Sequence, residues 1–102
     1  MNEYKPDRWI ILKITNGEKV IYKVMGGWYG GYLGADSWRM NSGITKVELD
    51  VGTYNFHGHS GSVYLCHKNS YGTTVFMSSA LPDSDNVQIL PDSDFTTLLE
   101  KL

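Results

Sequence analysis

Cysteine is nearly missing from this 102-residue chain. Cys66 is the only one, so no intrachain disulfide can form, and a reducing compartment fits the composition best. An excess of one charge is missing too. The formal net charge is −2, with Lys and Arg scattered, which leaves no electrostatic footprint for nucleic acid or an anionic membrane. Long apolar runs are absent near the start, where Trp9–Leu12 is only four residues. That is too short for a signal peptide or a membrane span, so a cytoplasmic chain with no membrane partner is expected. The phosphate-loop pattern G-x-x-x-x-G-K-[ST], a G-x-G-x-x-G leading into a helix, the EF-type calcium loop and the nucleophile elbow are all missing. What the chain does have is aromatic residues (Trp 3, Tyr 7, Phe 3) and 11 glycines. Aromatic side chains favour pleated, half-buried surfaces, and glycine supplies tight turns.

A chain of this length is one domain, 1–102. Residues 1–7 are polar and read as a frayed start. RWIILKIT (8–15) and KVIYKVM (19–25) flank Asn16-Gly17 and predict a hairpin. A three-residue loop, Thr15-Asn16-Gly17, would put Ile10, Leu12, Val20, Tyr22 and Val24 on one face and Lys13, Lys19 and Lys23 on the other. It would leave Gly17 as a G1 bulge. Residues 26–37 lose all periodicity and read as a loop. WRMN (38–41), ITKVEL (44–49), YNFHGH (54–59), SVYLCH (62–67) and TTVFM (73–77) read as strands separated by turns, and NVQIL as one more. In the last quarter, LPDSD occurs twice. Phe95, Leu98, Leu99 and Leu102 then fall at i, i+3, i+4 and i+7, which predicts a helix over 93–102 capped by Asp92 or Ser93. The expected fold is α+β: a mainly antiparallel sheet, or a small partly open barrel, of about six or seven strands with the C-terminal helix packed on it. Val20, Val47, Leu49, Val63, Leu65, Val75 and Phe95 belong to the expected core along with the residues of the first hairpin.

Three clusters could carry chemistry. With Ser60-Gly61 as a two-residue loop, Asn55, His57, His59, Ser62, Tyr64 and Cys66 share one face, and His67 falls on the core side. Two imidazoles and a thiolate at His57, His59 and Cys66 would suit a transition metal or a Cys–His nucleophile pair. Coincidental alternation explains the cluster more simply, because no close ligand pair such as C-x₂-C is present, so no cofactor is expected. The second cluster is the loop with Trp28, Tyr29 and Tyr32, followed by Trp38. Its rings could stack on a sugar, a base or a partner's side chain, or fold back to plug the sheet. The third, Asp83, Asp85, Asp92 and Asp94, offers oxygen ligands for a hard cation, although turn and cap roles account for these residues as well.

The stretch WYGGYLGADSWRMNSGITKVE followed by FHGHSGSVYLCHKNSYGTT, within residues 26–74, resembles a group of small uncharacterised proteins of bacteriophage and environmental sequences. No activity is established for that group, so the resemblance carries over no functional residue. It implies a phage or mobile-element accessory protein acting inside a bacterial host cell. The leading candidate function is a non-enzymatic binding or interaction module with a protein partner, capable of forming a homo-oligomer. One alternative is a metal-binding or Cys–His enzyme built on His57, His59 and Cys66. Another is a single-stranded nucleic-acid binder that stacks bases on Trp28, Tyr29 and Tyr32, which the acidic balance counts against.

Overall fold

Four consecutive apolar residues, Trp9–Leu12, are all buried, although a strand sends alternate side chains to opposite faces. Both faces of this strand are therefore covered, and the fold is organised around it. The structure, a computed structural model, describes residues 2–30, 35–94 and 98. It contains β1 (Glu3–Tyr4), β2 (Arg8–Asn16), β3 (Lys19–Trp28), β4 (Ser37–Met40), β5 (Ile44–Asp50), β6 (Thr53–Gly58), β7 (Val63–His67), α1 (Val75–Ala80) and β8 (Val87–Ile89). The strands form two four-stranded sheets, β1-β7-β6-β5 and β4-β3-β2-β8. Every pairing between them is antiparallel except β1 with β7. The architecture is α+β and mainly antiparallel, with eight strands among the described residues in two facing sheets where about six or seven in one sheet or barrel were expected.

Between the sheets lie Trp9, Ile11 and Val24 from one and Ile44, Phe56, Tyr64 and Cys66 from the other. Trp9 anchors this layer. Its ring meets Phe56 at 5.4 Å and Tyr54 at 5.9 Å, and its indole N–H donates to the His67 carbonyl at 2.7 Å. On the opposite face of β2 and β3, Ile10, Leu12 and Met25 pack against Met77 of α1. Two-sided burial also explains why the predicted hairpin register fails. Separating apolar from charged residues settles register only where one face meets water. Here the pairing is Asn16 with Lys19, Leu12 with Lys23 and Ile10 with Met25, closed by the two-residue turn Gly17-Glu18. Gly17 has φ +63°, so its left-handed conformation is as predicted, but in a different turn.

The remaining differences from expectation have local causes. Residues 2–7, expected to fray, are tied down: the Asn2 carbonyl accepts from Val63 N–H at 2.9 Å, and Asp7 N–H donates to Gly27 O at 2.9 Å. Pro6, also buried, packs against Gly26, where an added Cβ would lie 2.8 Å from the Pro6 Cβ. Gly26 and Gly27 are strand residues of β3 rather than loop, and they let Pro6 approach from one side and Met77 from the other. Residues 75–80 form a helix, not a strand. Thr74 Oγ1 accepts from Met77 N–H at 3.0 Å while Thr74 N–H donates to Met77 Sδ, a reciprocal cap in which methionine stands where Glu or Gln usually does. Val20 and Leu49, placed in the core by the sequence, are exposed, and Val75 is 87% exposed because it sits on the solvent side of α1. The helix predicted over 93–102 lies largely outside the described residues. Asp92–Asp94 form a 3-10 turn, and Leu98 is buried in the layer between the sheets. No helix among the described residues is long and apolar enough to cross a membrane.

Candidate functional site

The β6–β7 hairpin decides where the imidazoles and the thiol point. His57 pairs with Val63, Phe56 with Tyr64 and Tyr54 with Cys66, so five residues, 58–62, lie between the innermost paired positions. The predicted two-residue loop would have paired Asn55 with Cys66, one residue out of step. That single step inverts the face of every β7 side chain. Cys66 therefore joins Tyr54 and Phe56 in the core layer and is fully buried, while His57 and Asn55 face outward. His67, predicted on the core side, is exposed. His57 Nε2 is hydrogen-bonded to Glu48 Oε1 across the β5–β6 ladder. His59 is exposed in the turn between β6 and β7, its ring against Gly43. The structure thus separates the cluster expected of His57, His59 and Cys66. Among the described residues, no three or more His, Cys, Asp or Glu side chains gather as they would around a metal ion. Burial pushes the Cys66 thiol well above its ordinary range, which disfavours the thiolate. Desolvation likewise raises the neighbouring Tyr64 hydroxyl to about 12, opposed by the Arg39 charge.

The aromatic segment divides into rings that hold the fold together and rings that face solvent. Trp28 is half-buried. It meets the Tyr4 ring edge-on at 6.3 Å, and its indole N–H donates to the Lys5 carbonyl at 2.9 Å. Tyr4 in turn packs on Tyr64 at 5.0 Å and carries the Arg39 guanidinium 4.6 Å over its ring. Trp28 is thus a plug for the edge between the sheets. Tyr29 and Trp38 behave differently, at 54% and 40% exposed. Trp38 pairs with Gly27 on the face of β4 and β3 that carries α1, and Phe76 on that helix is 41% exposed as well. The backbone beside these rings is fixed by two carboxylates: Tyr29 N–H donates to Asp7 Oδ2 at 2.9 Å, and Gly30 N–H donates to Asp36 Oδ1 at 2.8 Å. Tyr32 lies outside the described residues. The sequence missed Phe76 because residues 73–77 look like a strand; the one cue was Thr74 three residues before Met77, and methionine hides a capping box.

The outer face of β6 and β7 carries a shallow groove of about 340 Å³, where Lys5, Asp50, Thr53, Asn55 and His67 surround Leu65. A second hollow of about 370 Å³ is formed by Asn2 and the Ser60–Ser62 turn. Of the four aspartates considered for a cation, Asp83 and Asp85 are exposed in the α1–β8 turn, where Ser84 Oγ accepts from Asn86 N–H at 3.2 Å. No family model matches the chain, and neither a curated protein nor a solved structure shows significant similarity to it.

Proposed function

We propose that this domain is a non-enzymatic interaction module that receives a protein partner on the surface formed by Tyr29, Trp38 and Phe76. The supporting observation is that Tyr29 and Trp38 present exposed ring faces to solvent while the backbone at Tyr29 is held by Asp7. Amphipathic rings on a fixed backbone are the usual anchors of protein recognition, since they bury much area at low entropic cost. The carboxylates of Asp7 and Asp36 beside Tyr29 favour a partner segment with cationic as well as apolar side chains, which can lie over the ring faces. The same carboxylates disfavour a phosphate backbone, which argues against stacking nucleic-acid bases there. Such a module fits the accessory role, inside a bacterial host cell, that the phage resemblance implies.

Selection of a random-peptide library on the purified domain tests this reading. Enriched peptides should carry Arg or Lys beside apolar residues and lose at least about tenfold in affinity for Tyr29→Ala or Trp38→Ala, as anchor truncations do. His57→Ala should bind them like the wild type. Peptides insensitive to both ring substitutions, or no enrichment at all, would refute the proposal.

A further inference from the structure

We propose that β5 is a self-association edge, at which a second copy of this chain adds antiparallel to β5 and continues the β1-β7-β6-β5 sheet. This does not depend on the binding surface above. β5 is the last strand of its sheet, and among the described residues no strand pairs with its far side. It is also the longest terminal strand, with 7 residues against 2, 4 and 3 for β1, β4 and β8. A row of unpaired N–H and C=O groups of this length is a template for another strand. Thr45, Lys46, Glu48, Leu49 and Asp50 are exposed along it.

The occupant follows from the charge order Lys46-Val47-Glu48. An antiparallel copy related by a two-fold axis through Val47 sets Lys46 opposite Glu48 of the second copy, twice, and Val47 opposite Val47. Directly opposed residues share a face, so both ion pairs lie on the outer face, where Lys46 pairs with His57 and Glu48 with Asn55 within the sheet. Neighbouring registers are worse. A two-fold axis between residues would set Val47 against Glu48 and mix the faces. An axis through Glu48 would also set Lys46 opposite Asp50 twice, but it would oppose two carboxylates, Glu48 to Glu48, at its centre. Of the registers centred on Lys46, Val47 or Glu48, only the one about Val47 opposes no like charges. Leu49, 62% exposed although its position alternates toward the core side, gains cover there. The β-bulge at Thr45 ends the regular ladder and keeps the contact short, so the dimer is reversible.

Sedimentation velocity of the full chain over a concentration series tests this. The wild type should pass from the 11.5 kDa monomer to twice that mass as concentration rises, and less readily at high salt. Lys46→Glu and Glu48→Lys should each weaken dimerisation at least tenfold, because each opposes like charges. The double variant K46E/E48K should dimerise like the wild type. An equimolar mixture of the two single variants should form a heterodimer, since every cross-strand pair is then opposite in sign. Circular-dichroism melts establish that each variant is folded. A wild type that stays monomeric up to its solubility limit, single variants that dimerise unimpaired, or a mixture that fails to pair would each overturn the proposal.

Discussion

Gly27→Ala isolates the contact that seats α1 on the sheet. Gly27 lies in β3 between Arg8 of β2 and Trp38 of β4, and its φ is not in the left-handed region, so alanine can adopt its backbone. Considered alone, that substitution should stabilise the protein by about 0.4–1 kcal/mol, because it restricts the unfolded chain. The side chain reverses the sign. A Cβ at this position meets Met77 Sδ at less than contact distance, lies 2.7 Å from Met77 Cγ and sits 3.3 Å from Thr74 Cγ2. Met77 is fully buried, and its sulfur already accepts a hydrogen bond from Thr74 N–H, so it cannot swing aside without opening the cap of α1. Overpacking of this kind costs about 1–3 kcal/mol, and the tight approach to Met77 places it in the upper part of that range, which leaves a net loss of roughly 1–2 kcal/mol. Each kcal/mol lowers Tm by about 4–8 °C in a domain near this size. Thermal unfolding should therefore show a fall of roughly 5–15 °C. Met77→Ala alone should cost about 2–5 kcal/mol as a core truncation. The double variant should lose clearly less than the sum, with a coupling of about 0.5–3 kcal/mol, since the added methyl then occupies vacated space. A Gly27→Ala variant that melts at or above the wild-type temperature, or strict additivity with Met77→Ala, would refute this account of how the helix is held.

Gly17→Val should destabilise the β2–β3 turn by about 1–2 kcal/mol through backbone strain alone, because φ is +63° and no atom lies within 4 Å of an added Cβ. Gly17→Asn should cost less, and comparison of the two melting temperatures checks this. Tyr64 contributes to alkaline unfolding. Its folded pKa of about 12 lies above the ordinary 10.0, so its contribution to stability is complete below about pH 10 and is lost as pH rises toward 12. Tyr64→Phe should flatten stability over that window in denaturant titrations. The Cys66 thiol is buried and held protonated, so a thiol-specific disulfide reagent at pH 8 should react with it only at the rate of unfolding, and immediately once denaturant is added.

Strand existence was largely readable, because it depends on local composition: Arg8–Asn16, Lys19–Trp28, Ile44–Asp50 and Val63–His67 all sit where β-branched and aromatic residues cluster between turn residues. Tertiary facts were not readable. That β2 is covered on both faces depends on α1, and α1 was concealed because Thr73, Thr74 and Val75 look like strand residues while the capping partner of Thr74 is a methionine. Gly26 and Gly27 looked like loop residues because the sequence does not show that Pro6 and Met77 press on them. The glycine contacts are long-range and leave no local signature, whereas the cap of α1 is local but written with an unusual residue.

The candidate site depended on less still. Whether Cys66 faces His57 or the core is a question of parity, and the Ser60-Gly61 turn signal fits a loop of two residues as well as the five that the β6–β7 pairing leaves between His57 and Val63. With an even loop, His57, His59 and Cys66 would share a face open to solvent and a metal or nucleophile chemistry would be worth testing first. With the odd loop, the thiol lies beside Phe56 and Tyr64 in a layer where its charged form is disfavoured, and His57 turns to Glu48 on the other side of the sheet. The aromatic surface is less sensitive to such a step. Tyr29 follows the last residue of β3, where the chain leaves the sheet, and Trp38 lies on the terminal strand β4. Neither ring's exposure depends on the parity of the β6–β7 hairpin, although the face of Trp38 is set by its own pairing with Gly27. That is why the exposure of these rings survives the change of register that removes the histidine–cysteine cluster.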